Sequence, residues 1–339
     1  MRLLRVSVIV PVRNEEQHIS NCLRSLLAQT YSSANYEVIV IDGLSSDRTK
    51  KIVQSFCCTY SNIRCLDNLA RIVPCAMNIG IRSASGEIIV RADGHNVYPS
   101  DYIENCVKYL EQTKADNVGG PIMTVAADQS ISARLVAAVL TSPFGVGNSR
   151  FRIGRREGFV ETVPFGAFRK ELFDRIGMYN ERLARNQDNE LNARIRQNGG
   201  KIYQTPALTT NYYPVKDFWT LIRTTFRTSQ WHALTMRQNR GAMEFRHLIP
   251  AMFALSVAGL TILSTVSLSA FLLLLALLAL HICAGLVVAL FLETDEYFGV
   301  RCVLPFAFFC FHLSYGLGVL VGCLYLVGVD LPQLRSEPT

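Results

Sequence analysis

The sequence holds 339 residues, enough for one α/β domain and something smaller, and 50% of them are hydrophobic, a high share for a purely soluble chain. With 34 basic and 27 acidic residues the net charge is +7, and it is unevenly divided: residues 1–247 carry 32 basic against 22 acidic, while residues 248–339 carry only Arg301 and Arg335 against Glu293, Asp295, Glu296, Asp330 and Glu337. A basic part beside an apolar tail suits anionic lipid headgroups and phosphate-bearing substrates; no nucleic-acid recognition module is visible, which argues against that partner.

In chain order, Val6–Val10 with Pro11 reads as a short buried strand, followed by the polar cluster Arg13-Asn14-Glu15-Glu16. Glu15–Ala28 reads as a helix whose Ile19, Cys22, Leu23, Leu26 and Leu27 form a stripe of period 3.6. Tyr36–Ile41 is a second strand, ending in Asp42-Gly43. A helix is expected over Arg48–Phe56, with Ser46 or Asp47 as its cap, then a short strand near Ile63–Leu66 and a helix over Val73–Ser83. A third strand, Glu87–Ala92, ends in Asp93-Gly94-His95. In open α/β sheets ligands bind beyond the carboxyl ends of strands, so three apolar strands delivering carboxylates and amides at one end describe one site.

Further on, the pattern predicts a helix over Tyr102–Gln112 and a strand over Val118–Val125. Ile131–Arg150 begins with helix-like spacing at Leu135, Val136, Val139 and Leu140. The run PFGVGNSRFRIGRREG is either a solvated loop or a flap for an acceptor pyrophosphate or a lipid surface. Thr162–Phe168 reads as a strand, Lys170–Ile176 and Gln187–Asn198 as helices, and Ile202–Thr205 as a short strand. Asp217–Met236 is an amphipathic helix with Trp219, Ile222, Phe226 and Leu234 near one face and Arg223 and Arg227 beside it, in a stretch rich in Lys and Arg; such a segment before membrane spans reads as interfacial.

Leu248–Val266, Leu268–Leu292 and Cys302–Val329 are apolar runs long enough to cross about 30 Å of hydrocarbon at 1.5 Å per residue. His281 and His312 within them are expected to make helix-packing hydrogen bonds. Ten cysteines lack CxxC spacing, and Cys283, Cys302, Cys310 and Cys323 lie in apolar runs, so they read as small hydrophobes in a reducing compartment rather than as disulfides or ligands. The apolar run after Arg2 is too short for a signal peptide. The expected placement is therefore multi-pass in the inner membrane with residues 1–247 and the 293–301 loop in the cytoplasm, supported by Arg237, Arg240 and Arg246 before the first span.

Four stretches, VSVIVPVRNEE, EVIVIDGLSSDRT, NIGIRSASGEIIVRADGHN and FGAFRKELFDRIGMYNERLARNQDNELNARIRQNGG, resemble in order and spacing the family 2 glycosyltransferases, inverting enzymes of the GT-A fold. Within that family the chain is similar to membrane-bound bacterial enzymes that build exopolysaccharide repeat units. The resemblance implies an α/β GT-A domain with a mostly parallel sheet over residues 1–212, a basic interfacial linker over 213–247, and transmembrane helices over 248–339. It implies a nucleotide-diphosphate sugar as donor, a polyprenyl-linked saccharide as acceptor and membrane lipids as surroundings.

On the donor side, the Asp42 carboxylate suits a uracil or guanine ring N–H, and the resemblance places Pro11, Asn14 and Glu15 around the same nucleoside. Glu15 reads equally as an acid favoured at a helix N-terminus, and Asp47 as a cap or a ligand. Asp93-Gly94-His95 matches the family's DxD position with His in place of the second Asp, so Asp93 and His95 are expected to hold a divalent cation. The imidazole favours Mn²⁺ over Mg²⁺, and the ion would offset charge on the leaving diphosphate. Arg185-Asn186-Gln187-Asp188 matches the acceptor-side motif with Gln187 in place of its Glu, which implies Asp188 as general base, with Glu190 as its rival and Arg194 and Arg196 as holders of phosphate or of the Asp. Within this class, polyprenyl phosphate itself is the alternative acceptor. A dinucleotide-dependent oxidoreductase is disfavoured because no GxGxxG follows the first strand, and a catalytically dead scaffold because Asp42, Asp93 and Asp188 are all present.

Overall fold

The computed structural model describes residues 4–154, 156–291 and 298–326. The described residues form two compact units, one comprising residues 4–123 together with the described part of Gly154–Asn211, the other Thr124–Ile153 together with the described residues between Tyr212 and Leu326. The sequence reads 1–212 as continuous, but residues 124–153 belong to the second unit, because their apolar helix is buried among its helices.

The first unit runs β1 (Val6–Val12), α1 (Ile19–Leu27), β2 (Tyr36–Asp42), α2 (Thr49–Thr59), β3 (Ile63–Asp67), α3 (Val73–Ser83), β4 (Ile88–Arg91), α4 (Tyr102–Thr113) and β5 (Asn117–Gly119), with β6 (Ile122–Thr124) at its edge. Helices α5 (Ile131–Thr141), α6 (Pro143–Val146) and α7 (Arg150–Ile153) belong to the second unit. The first resumes with β7 (Gly158–Phe159), β8 (Ala167–Arg169), α8 (Glu171–Ile176), α9 (Gln187–Gln197), β9 (Ile202–Gln204) and β10 (Thr210–Tyr212). The eight-stranded sheet has the order β3-β2-β1-β4-β8-β5-β9-β7, and β10 pairs with β6 in a separate ribbon. Strands β3, β2, β1 and β4 are all parallel, whereas β8 is antiparallel to both neighbours.

The period of two sorts the central strands into two faces. Val6, Val8, Val10 and Val12 with Val38 and Val40 face the side of α1, α2 and α4, where Ile19, Leu23, Val53 and Ile103 complete one core. Ile9, Ile39, Ile41 and Ile89 face α3, α8 and α9, meeting Met77, Phe173, Leu191 and Ile195 in a second. The strands are apolar throughout because both faces are covered. Gly80 lets α3 sit directly on β1: a Cβ there would lie 2.5 Å from the Ile9 side chain.

Three sequence expectations shift. The first helix begins at Ile19 rather than Glu15, because the Glu15 carbonyl closes a turn, accepting from the N–H groups of His18 (3.0 Å) and Ile19 (2.9 Å). The expected strand Val118–Val125 divides at Gly120-Pro121 into β5 and β6, since Pro has no N–H for a ladder. Of Thr162–Phe168 only Ala167 and Phe168 are strand; Pro164 and the positive φ of Phe165 (51°) make the rest a loop.

In the second unit α10 (Phe218–Gln238) is followed by three apolar helices, α11 (Ile249–Leu263), α12 (Leu268–Phe291) and α13 (Phe298–Leu326). The apolar stretches Phe245–Leu263, in which a short 3-10 turn leads into α11, Leu268–Phe291 and Phe298–Leu326 have mean hydropathies of 1.5, 2.8 and 1.8, and each is long and apolar enough to cross a membrane. Helix α5 packs with α10 and α13 through Leu135, Val139, Leu221, Leu304 and Phe308. Glycines on α13 let α10 approach closely, a Cβ at Gly318 or Gly322 falling 2.4 and 2.3 Å from the carbonyl oxygens of Phe226 and Gln230. His281 Nε2 lies 3.0 Å from His312 Nδ1, and His312 Nε2 lies 2.8 Å from the carbonyl oxygen of Phe144. The run expected to be loop or flap forms α6 and α7 in part. The polar stretch at 292–297 and the ends of the second and third expected spans, Leu292 and 327–329, lie outside the described residues. All ten cysteines are free.

Candidate active site

The site lies in the first unit, beyond the carboxyl ends of β1, β2 and β4, where Val12 stands beside Asp42 and Ile9 beside Arg91. The loops after β1 and β2 are stitched together. Asn14, with φ of 56°, donates its N–H to Ser45 Oγ (3.0 Å) and accepts from the Ser46 N–H at Oδ1 (2.8 Å). Glu15 donates its N–H to Thr49 Oγ1 (2.7 Å). Glu16 and Asp47 answer each other: the Glu16 N–H reaches Asp47 Oδ2 (3.1 Å), and Glu16 Oε2 accepts from the Arg48 N–H (3.0 Å). Asp47 also accepts from the Thr49 N–H (2.9 Å), but the N-cap position of α2 is Arg48 and not Ser46 or Asp47, because the helix begins one residue later than expected.

Asp42 is fully buried and accepts from Ser45 twice, from its hydroxyl (2.6 Å) and its N–H (3.1 Å). Its carboxylate thus shapes the turn that carries Ser45 and Ser46. Pro11, half-buried, lies within β1 rather than at its end, beside Ile41 of β2, and Val12 closes the strand.

Asp93 and His95 share the tight turn after β4, closed by a hydrogen bond from the Asn96 N–H to the Asp93 carbonyl (3.2 Å). The turn is pressed against β1, since a Cβ on Gly94 would lie 2.5 Å from Val12 Cγ1. His95 Nδ1 sits 3.3 Å from Glu15 Oε1, which raises the affinity of the imidazole for a proton chiefly through that hydrogen bond, against the opposing effect of burial. The same contact orients the ring and leaves Nε2 to a ligand. Among the described residues no group of three or more His, Cys, Asp or Glu side chains could by itself hold a metal ion. The donor chemistry of the turn still fits one: a carboxylate and an imidazole, with side chains 17% and 37% exposed, whose remaining shell would come from diphosphate oxygens.

Arg91 joins the two halves of the site. Its side chain is only 6% exposed, its Nε donates to Asp93 Oδ1 (3.2 Å), and its Nη1 donates to Asp188 Oδ1. The guanidinium also lies 5.6 Å from the Phe165 ring centroid. Burial alone would weaken its charge, but Asp188 and Asp93 hold it protonated. Asp188 stands in the first turn of α9, entered through Asn186 at φ 63°. Burial and the nearby Asp93 raise its pKa, and the Arg91 charge and hydrogen bond pull the other way. The rival carboxylate, Glu190, is buried and paired with Arg194 (2.7 Å), which also donates to the carbonyls of Ile176 and Gly177. Arg194 is therefore engaged with Glu190 and the α8 terminus rather than with Asp188. Helix α9 is pinned by a buried amide network: Asn117 Nδ2 donates to Asn192 Oδ1 (2.7 Å), and Asn192 Nδ2 donates to Thr162 Oγ1 (2.8 Å).

Arg91 was not among the residues singled out from sequence. Its signal was a lone Arg at the end of the apolar run EIIVRAD, where a buried cation demands carboxylate partners.

The parallel β3-β2-β1-β4 half-sheet with carboxylate-bearing turns at its carboxyl edge is the arrangement of a GT-A-like α/β domain. Residues 7–177, just over half the chain, match the family profile described as "Glycosyl transferase family 2", and the chain belongs to that family. Among curated proteins it is similar to a dolichyl N-acetyl-alpha-D-glucosaminyl phosphate 3-beta-D-2,3-diacetamido-2,3-dideoxy-beta-D-glucuronosyltransferase of Methanococcus voltae, 25% identical over 92% of this chain and 95% of the relative. It is also similar to the succinoglycan biosynthesis protein ExoA of Rhizobium meliloti, 28% identical over 72% of this chain and 73% of the relative. Among solved structures it shares the fold of the mannosyltransferase PcManGT from Pyrobaculum calidifontis, described in complex with GDP-Man and Mn²⁺, at a TM-score of 0.60 and 21% identity over 93% of this chain and 88% of that one. It likewise shares that of S. aureus TarS residues 1–349, at 0.52 and 16% over 96% and 92%.

Proposed function

We propose that this transferase moves a sugar, with inversion at the anomeric carbon, from a nucleotide-diphosphate donor to a polyprenyl-linked saccharide. The observation that carries the reaction is the Asp93–Arg91–Asp188 chain, which joins a donor-side carboxylate to one at the mouth of a helix. Inversion in one displacement requires the acceptor hydroxyl to lose its proton as it attacks. Asp188 takes that proton; its side chain is 31% exposed, and Gln187 beside it has no basic group. The N-terminal turn of α9 and Arg91 both favour its ionised form, which keeps it ready as a base despite its partial burial. Asp93 and His95 would hold a divalent cation, which when bound supplies positive charge to the departing diphosphate. Asn14 and the Ser45–Ser46 turn shaped by Asp42 form the nucleoside wall, with Glu15 orienting His95.

The acceptor class is supported by the relative from Methanococcus voltae, whose name specifies a dolichyl-linked phosphate substrate and whose match spans 92% of this chain. On this reading residues 1–212 hold the donor, 213–247 lie at the membrane surface, and α11, α12 and α13 cross the inner membrane.

The test incubates purified full-length protein in detergent with a panel of nucleotide sugars and polyprenyl-linked saccharides. A new glycosidic bond of anomeric configuration opposite to the donor's is expected; a retained configuration, or donor cleavage without transfer to any such acceptor, refutes the reading. Asp188→Asn keeps shape but not basicity. It should reduce turnover by at least about a hundredfold while donor affinity stays near wild type; the thermal midpoint falls, because buried Arg91 keeps only the Asp93 carboxylate, and is read separately to show that the variant is folded at the assay temperature. Near-normal turnover would remove Asp188 as the base.

A further inference from the structure

Within the second unit, α10 and α13 enclose a groove of about 490 Å³ lined by Trp219, Ile222, Phe226, Leu313 and Leu317 with Arg223 and Arg227 beside them. Two features distinguish it from an ordinary gap between helices. Its floor is apolar apart from Ser314, whose hydroxyl proton is donated to the Ile222 carbonyl (2.7 Å), so it suits an apolar chain better than a saccharide. Its polar edge is cationic: Arg223 and Arg227, one helical turn apart and so within about 6 Å of each other, carry guanidiniums suited to phosphate oxygens. Among the described residues that line the groove none is acidic; Asp217, at the head of α10, accepts from the N–H (2.7 Å) and hydroxyl (2.8 Å) of Thr220, and those bonds first and the Arg223 charge after them hold its carboxyl low.

We propose that the groove between α10 and α13 binds the phosphate and the head-proximal isoprene units of the polyprenyl-linked acceptor, with Arg223 and Arg227 on the phosphate and Trp219, Phe226, Leu313 and Leu317 around the chain. This rests on the reading that the acceptor is polyprenyl-linked. The charge pattern suits an anionic head and the lining a hydrocarbon tail. Trp219 is 54% exposed, a large aromatic surface left open on a helix otherwise packed against α13. An aromatic ring beside a cationic edge is the combination that holds an amphiphile at a membrane boundary.

The experiment uses the full chain in detergent micelles and a polyprenyl phosphate bearing a diazirine on the isoprene unit next to the phosphate. Irradiation should label the peptides containing Trp219–Arg227 and Cys310–Leu317. Unlabelled polyprenyl phosphate should compete, while polyprenol and phosphatidylglycerol should each require at least about tenfold more. The double substitution Arg223→Gln, Arg227→Gln should weaken labelling about tenfold or more, on the scale of losing two charge-assisted contacts. Leu313→Trp, which fills the groove without altering charge, should also reduce it; thermal midpoint and elution volume report folding, and the variant that stays folded decides.

Labelling elsewhere, or equal competition by phosphatidylglycerol or polyprenol, overturns the proposal. Sugar transfer by the wild type without groove labelling overturns the groove and leaves the function standing. Groove labelling without transfer to any polyprenyl-linked acceptor does the reverse.

Discussion

Arg91 holds two carboxylates at once, and its replacement separates its structural role from its chemical one. Arg91→Met would leave Asp93 and Asp188 facing each other without a cation, and removing one partner of a buried ion pair costs about 3–5 kcal/mol; the thermal midpoint should fall accordingly. Arg91→Lys keeps the charge but cannot reach both carboxylates through a planar fork. Because Arg91 opposes the upward shift of Asp188, its loss as a close partner raises the Asp188 pKa further. The base must be ionised to act, so the acid limb of the kcat–pH profile should move to higher pH in Arg91→Lys. An unmoved limb would show that Arg91 does not tune Asp188. At the donor turn, EDTA should abolish transfer and Mn²⁺ restore it at least as well as Mg²⁺. His95→Asp should shift the preference toward Mg²⁺ by making the donor set all oxygen; undiminished transfer in EDTA would eliminate the cation.

Strands and helices show where sequence patterns suffice and where they do not. β1, β2 and β4 were legible because burial on both faces leaves an unbroken apolar run, and the end of such a run fixes what stands at the sheet's carboxyl edge: hence Asp42, the last residue of β2, and Asp93, just past β4, could be placed there from sequence. The pattern could not say that Asp42 spends its oxygens on Ser45, nor that Arg194 pairs with Glu190, since side-chain partners depend on packing that periodicity does not encode. Glu37 shows the same limit. Strand β2 carries it to meet Ser7 of β1, Arg64 of β3 and Ser85 before β4. Burial pushes its carboxyl upward, but those hydrogen bonds outweigh burial and hold the pKa at about 2, against 4.5 unperturbed. A depressed carboxyl stabilises the fold above its unfolded pKa, and that contribution drains away as pH falls from about 4.5 toward 2. Glu37→Gln should therefore lower stability at pH 7 by about 1–3 kcal/mol. The gap from wild type should narrow as pH falls through that window, as denaturant titrations at several pH values would show.

At the scale of the whole molecule, the apolar helices were visible from hydropathy alone, whereas the assignment of 124–153 to the second unit was not, because a short apolar helix looks the same whichever core receives it. The expected topology, first unit cytoplasmic and α11, α12 and α13 spanning, rests on Arg237, Arg240 and Arg246 ahead of α11. In inverted membrane vesicles, whose cytoplasmic face is outward, an N-terminal tag should be cut by added protease and a C-terminal tag should be protected. Protection of the N-terminal tag would reverse the orientation.

The imidazoles of α12 and α13 form a chain with a single reading direction. The Phe144 carbonyl can only accept, so His312 must present its proton at Nε2, and its Nδ1 is then a bare lone pair. That lone pair obliges His281 to carry its own proton at Nε2. One backbone oxygen thus dictates the tautomer of two side chains on two helices, and the last lone pair, on the buried His281 Nδ1, finds no partner among the described residues. The arrangement behaves like a grammatical agreement in which the carbonyl governs both words that follow, and no second phrasing exists while both rings stay neutral.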